Sequence, residues 1–238
     1  MEPKGCDVSC RGLFWMVLWA VGLGVFLPAG LLAGSGNGQQ PLFPLEGAVE
    51  NRVRTLLDQA GLEYPLQGGL SLLVFKEERE LELWVHTDTL PRLLKSYPVL
   101  GLSGQSGPKR HRGDRQVPEG IYQVVQLNPN SAFHLSLKLD YPNSFDRQKA
   151  RKERRTNLGD DIYIHGGSSS VGCVAVGNPA IEELFALTFM AGNEPTEVII
   201  APYDFRQSTE KSALPTTPDW VPELYWEIES RLGRYVEP

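Results

Sequence analysis

The chain has 238 residues, 22% of them charged and 41% hydrophobic, which suits one globular domain with a sizeable core plus some further segment. Its net charge of −6 offers no basic footprint for a phosphate backbone and argues against nucleic acid as a partner. The 24 Gly and 18 Pro favour many turns and short strands over a helical bundle, so the composition points to a mainly β (α+β) fold.

Lys4 and Arg11 precede an uncharged run from Gly12 to Gln40. Its apolar part, Leu13 to Ala33, is close to the roughly 20 residues that span a bilayer, while Pro28, Gly30 and Ala33-Gly34-Ser35 resemble a signal-peptide end. Residues 1–34 therefore predict a signal peptide or an N-terminal inner-membrane anchor. The flanking cations are expected to keep that end in the cytoplasm and send the rest across the membrane. Ser35 stands where a lipoprotein signal requires Cys, so lipidation is not expected. Cys6 and Cys10 lie before the apolar run, leaving Cys173 without a disulfide partner in the exported part, a position that suggests chemistry. Residues 35–45, polar, Gly-rich and bounded by Pro, read as a linker.

From Glu46, apolar Val49, Val53, Leu56, Leu57 and Ala60 recur at helical spacing, with Gly61 as the stop. Leu70–Phe75 and Leu81–Val85 flank a charged turn and read as a hairpin; Ser96–Leu102 is a further strand, and Gly104–Arg115 a loop. Ile121–Leu127 and Phe133–Leu137 read as strands about an Asn128-Pro129-Asn130 turn. The basic run Arg147–Arg155 is either a solvated loop or an attractor of peptide carboxylates. Asp161–Ile164 is a short strand delivering His165. Asn178 as N-cap with Pro179 at the first position starts a helix to Met190; Glu197–Ala201 is a strand, and Leu224, Ile228 and Leu232 share one face of a last helix. Trp220, Tyr225 and Trp226 are assigned to packing of that helix rather than to a glycan platform.

The chemistry concentrates in Ile162-Tyr163-Ile164-His165-Gly166-Gly167-Ser168-Ser169-Ser170-Val171-Gly172-Cys173. A thiol is a weak nucleophile until ionised, and an imidazole beside it can take its proton near neutral pH. Gly166, Gly167 and Gly172 allow tight turns, and the amides around Gly172 and Cys173 are candidate donors to a tetrahedral oxyanion. His86, His111 and His134 have no ligand-like spacing, so neither a metal nor any other cofactor is expected.

His165-Gly166 followed by Ser170-Val171-Gly172-Cys173-Val174 resembles the catalytic signature of the L,D-transpeptidase (YkuD-type) family. Ser106-Gly107-Pro108-Lys109 and Gly113-Asp114-Arg115-Gln116-Val117-Pro118-Glu119-Gly120-Ile121-Tyr122 resemble its upstream motif, so the likeness covers roughly Leu70 to Arg206. It implies a β-sandwich or barrel with flanking helices. A catalytic domain would occupy residues 46–206, and residues 207–238 would be a helical extension packed on it. By the same resemblance Cys173 is the nucleophile, His165 its base, the Gly166 carbonyl the orienter of the imidazole, and Ser170 with Gly172 shapes the turn and the oxyanion site. Val171 and Ala175 replace a His and an Arg usual in the family, removing polar groups near the substrate. The short His-to-Cys loop and Tyr141-Pro142-Asn143-Ser144-Phe145-Asp146 look like the YafK/DpaA-like branch, with Tyr141 and Asn143 as substrate-binding residues. That branch implies peptidoglycan peptides with diaminopimelate as partners, and hydrolysis of the amide joining murein to a lipoprotein. A murein-binding scaffold without activity is the alternative.

Overall fold

In the computed structural model of the chain, residues 47–66, 68–207 and 218–236 are described. The predicted export segment and linker lie outside them, as do Cys6 and Cys10. Helix α1 (Gly47–Gln59) buries Val49, Val53 and Leu57, the apolar stripe read from the spacing, and ends at Gly61, whose φ of 65° suits a residue without Cβ. The hairpin forms as β1 (Leu70–Phe75) and β2 (Glu80–Val85), paired antiparallel from Leu70↔Val85 to Phe75↔Glu80. The expected strand over residues 96–102 divides into β3 (Arg92–Pro98) and β4 (Gly101–Leu102), because β3 pairs with β2 while β4 crosses to the opposite edge of the sheet.

Strand β5 runs from Gly120 to Ser131, straight through the Asn128-Pro129-Asn130 triplet expected to turn. Register shifts between Val124 and Gln126 and between Asn128 and Ser131 absorb the proline, and the reversal occurs just before β6 (His134–Leu139). Part of the basic run that was expected to be irregular is helix α2 (Ser144–Lys152). Its start is fixed by a capping box: Asn143 Oδ1 accepts from the Asp146 amide at 3.1 Å, and Asp146 Oδ2 accepts from the Asn143 amide at 3.0 Å. The remaining elements are β7 (Tyr163–His165), β8 (Val174–Ala175), α3 (Asn178–Ala191), β9 (Thr196–Ala201) and α4 (Val221–Leu232).

The strands form one mixed sheet in the order β3-β2-β1-β9-β5-β6-β7-β8-β4, curled into a half-barrel with helices on its faces. Side-chain alternation feeds two cores. On one face Leu70, Leu72, Val74, Leu81, Leu83, Val198 and Ile200 pack with α1 and α3; on the other Leu73, Phe75, Trp84, Ile199 and Ala201 meet Leu224, Ile228 and Leu232 of α4. A sheet covered on both faces needs few polar positions in its central strands, and in β1 every residue but Ser71 is apolar, the buried Ser71 hydroxyl bonding to that of Tyr235 at 2.7 Å. The site elements β7 and β8 are attached to this frame through β6, with Ser136↔His165 and Leu137↔Ile164 in register.

Candidate active site

His165 and Cys173 are brought together by a parallel pair of short strands. Ile164 pairs with Val174 and His165 with Ala175. Cys173 stands in the bend immediately before β8, two residues ahead of Ala175. The connection between His165 and Cys173 is tied at Gly167 to the start of α3: the Gly167 amide donates to Asn178 Oδ1 at 2.9 Å, and the Gly167 carbonyl accepts from the Gly177 amide at 2.9 Å. Asn178 thus holds the site loop rather than capping α3, whose N-cap is Gly177.

The imidazole is buried, with 2% of His165 exposed, and its Nδ1 is 2.6 Å from the Gly166 carbonyl oxygen. A carbonyl oxygen only accepts, so Nδ1 carries the proton and Nε2 keeps its lone pair. Gly166 can sit there because it has no Cβ: one would fall 2.6 Å from the Phe133 carbonyl and 2.7 Å from Asn178 Oδ1. The ring of Phe133 lies over the imidazole, with centroids 4.5 Å apart and planes 31° apart. Burial holds His165 below its ordinary value of 6.5, against the pull of the Gly166 carbonyl, so the ring is neutral at pH 7.

Cys173 is half-buried and unpaired, and its Sγ is directed at the Asp161 carbonyl oxygen 3.7 Å away. Burial pushes the thiol above its ordinary value of 9.0, opposed by the Tyr163 amide and by the charge of Lys109. Lys109 is held by Asp114, at 2.5 Å, and Asp114 also accepts from the amides of Arg110, His111 and Gln116. The resting pair is therefore a neutral thiol and a neutral imidazole. The two amides expected to meet an oxyanion are both engaged: Gly172 donates to Ser103 Oγ at 2.7 Å and Cys173 to Ser170 Oγ at 3.1 Å. Ser103 was not singled out by the sequence, being far away along the chain and in no motif.

Tyr141 and Asn143 are placed within the framework instead of being free to bind a ligand. Tyr141 is buried and donates to the Leu158 carbonyl at 3.0 Å. Asn143 uses its Oδ1 for the α2 cap and its Nδ2 to donate to the Ile121 carbonyl at 2.9 Å. Both side chains therefore bond within the fold at the positions where the resemblance implies substrate-binding residues. Val171 is 71% exposed beside the site, whereas Ala175 is fully buried where a family arginine would stand. Among the described residues no group of three or more His, Cys, Asp or Glu could hold a metal ion, and no helix is long and apolar enough to cross a membrane.

The family model for the L,D-transpeptidase catalytic domain, YkuD, matches residues 71–200. The chain belongs to this family. It is also 36% identical over 145 residues to "Putative L,D-transpeptidase YafK" of Escherichia coli, in strain K12 and in O157:H7, the match covering 58% of this chain. The chain spans 56% of the length of those relatives. Among solved structures, the helical cell shape determining protein Pgp2 from Campylobacter jejuni superposes with a TM-score of 0.46 at 20% identity, over 64% of this chain and 56% of that one. Bd1075 of Bdellovibrio bacteriovorus gives a TM-score of 0.43 at 22% identity, over 71% of this chain and 55% of that one. The family match, with the relatives, supports membership in an enzyme family acting on peptidoglycan.

Proposed function

We propose that the chain is a periplasmic cysteine acyl-transfer enzyme acting on peptidoglycan peptides that contain diaminopimelate, and that it works as an amidase releasing a lipoprotein from murein. The observation that carries this reading is the 2.6 Å contact of His165 Nδ1 with the Gly166 carbonyl, which leaves the Nε2 lone pair free to act as a base, with Cys173 just ahead of the strand that pairs with β7. In the first step Nε2 takes the thiol proton as sulfur attacks the carbonyl carbon of the scissile amide. The tetrahedral oxyanion collapses to a thioester at Cys173, and the imidazolium returns its proton to the departing amine. Water then attacks the thioester, with Nε2 again accepting a proton, and the acyl group leaves as a carboxylate while the thiol is restored. An amine in place of water would make the same intermediate a transpeptidation product.

For the Gly172 or Cys173 amide to serve the oxyanion, it must exchange its serine hydroxyl for the substrate oxygen. Those engaged amides, together with a thiol raised by burial, are what favour the second reading, a murein-binding scaffold without activity.

Incubating the protein with sacculi that carry covalently attached lipoprotein, beside the Cys173→Ala variant, tests both. Released lipoprotein with free diaminopimelate ends, absent in the variant, supports the amidase. New diaminopimelate crosslinks would instead mean transfer, and binding without any Cys173-dependent product would mean the scaffold.

A further inference from the structure

Helix α2 sets Arg147 and Arg151 one turn apart, and Arg155 follows four residues later. All three line an open cavity of about 410 Å³ whose wall also includes Arg112, Leu158 and Asp160. Two of the four guanidiniums are neutralised within the fold: Arg155 Nε donates to Glu153 at 2.6 Å and Arg112 to Asp160 at 2.6 Å. Arg147 and Arg151 are exposed, and neither has a side-chain bond to a carboxylate among the described residues. Lys149, between them in sequence, points elsewhere and is bound by Glu223 of α4. Like charges four residues apart work against a helix unless an anion lies between them. A solvated charged face is ordinarily convex, whereas this pair overlooks a concavity. The wall of that concavity ends at Asp160, and the next residue along the chain, Asp161, offers the carbonyl that accepts from Cys173 Sγ at 3.7 Å.

We infer that the cavity is a carboxylate-binding subsite, in which Arg147 and Arg151 hold the free carboxylates of a peptidoglycan peptide whose amide lies at Cys173. This rests on the reading of the chain as a peptidoglycan enzyme and adds to it the part of the substrate that is gripped. A planar guanidinium can take a carboxylate through two parallel N–H···O bonds, which gives orientation as well as attraction.

The test uses the full-length Cys173→Ala protein in detergent, so that no turnover intervenes. A fluorescent murein tripeptide ending in diaminopimelate is titrated by anisotropy, once with free carboxylates and once with them amidated. The free form is expected to bind about tenfold more tightly, at low salt above all, as loss of a charge-assisted bond implies. Adding Arg147→Gln and Arg151→Gln should erase that preference with an unchanged melting temperature, while Arg92→Gln, on distant β3, should keep it. Equal affinity for the two peptides, an unchanged preference in the double variant, or binding of inorganic phosphate in place of the peptide overturns the subsite. Carboxylate-dependent binding by a protein whose wild type gives no Cys173-dependent product from sacculi, neither released lipoprotein nor new crosslinks, would leave the subsite standing and sink the enzymatic reading alone.

Discussion

Ser103 and Gly172 are joined by a 2.7 Å hydrogen bond from the Gly172 amide to the serine hydroxyl, tying the loop that carries the nucleophile candidate to the chain just after β4. Gly172 has a φ of 86°, a conformation a residue with Cβ would resist, so its place depends on both its own freedom and this tether. Ser103→Ala leaves the amide without its partner. The expected cost is about 1 kcal/mol of stability, read by urea denaturation, and a fall in kcat of up to about tenfold with little change in KM. A variant as active and stable as the parent would remove Ser103 from the site.

Removing the proposed nucleophile, Cys173, or the proposed base, His165, should differ in what happens to the fold. Cys173 is half-buried and Cys173→Ala should melt within a few degrees of the parent while turnover drops by roughly 10³-fold or more. His165 is buried under Phe133, so His165→Ala opens a cavity, and His165→Gln is the better control because it keeps volume and a donor for the Gly166 carbonyl. Both His165 variants should lose turnover to a similar degree. Retained activity in His165→Gln would show that the imidazole is not the base.

The hairpin of β1 and β2, the helices α1, α3 and α4, and the His165 to Cys173 segment were legible because each rests on short-range spacing. Helix α2 was not, since its only buried side chains are Lys149 and Ala150 and it has almost no apolar stripe. Its signal was the Asn143 to Asp146 spacing of a capping box, which was present in the sequence and read as cleft lining. β5 was cut short because Pro129 ordinarily ends a strand, and only the bulges that accommodate it let the pairing go on. Ser103, bonded to Gly172, and Lys76, bonded to Glu119 at 2.8 Å, had no local mark at all, since both contacts close long loops.

The pH dependence follows from two opposite displacements. His165 lies below 6.5, so the base is lost only as pH falls past that lowered value, and Cys173 lies above 9.0, so the thiol persists through neutral pH. A mechanism that starts from thiol and neutral imidazole therefore predicts a flat kcat/KM from below 6.5 to above 9.0, and alkylation of Cys173 by iodoacetamide rising only above 9.0. A preformed thiolate–imidazolium pair would label rapidly near neutrality and would contradict this. For stability, His165 contributes above its unfolded value and the contribution is lost as pH falls through its folded value. Asp146, raised by burial to about 6, works the other way: its contribution is present below the unfolded value of 3.8 and lost as pH rises through about 6. Melting curves will therefore be flatter with pH than either group alone would make them.

Glu119, within the upstream motif, is the buried counter-ion of Lys76 at 2.8 Å, with both side chains almost fully enclosed. Lys76 also donates to the carbonyls of Gln105 and Gly107, and Glu119 accepts from the Gly107 amide and from Tyr225, so the pair anchors the loop before β5 and reaches the α4 side of the fold. Lys76→Met should cost about 3–5 kcal/mol, because it strands a buried carboxylate. Lys76→Met with Glu119→Gln should recover a large part of that loss in chemical denaturation. Equal losses in the single and double variants would mean that the carbonyl contacts, not the charge pair, hold the loop.

Phe133 has the strongest claim among residues outside the family motif to tune the His165 imidazole, the proposed base. Its ring covers the imidazole at 4.5 Å while half of the residue stays exposed, so Phe133→Ala should admit water to His165 without disturbing the core. Burial is the first cause of the lowered imidazole value, and relieving it raises that value towards 6.5. The acid limb of kcat/KM should move to higher pH by a measurable fraction of a unit, with the plateau rate lowered by less than about tenfold. Proton NMR titration of His165 in Phe133→Ala against the parent reads the same shift without needing a substrate. An unmoved titration would mean that the sheet and the Gly166 turn, not the phenyl ring, keep water from the base.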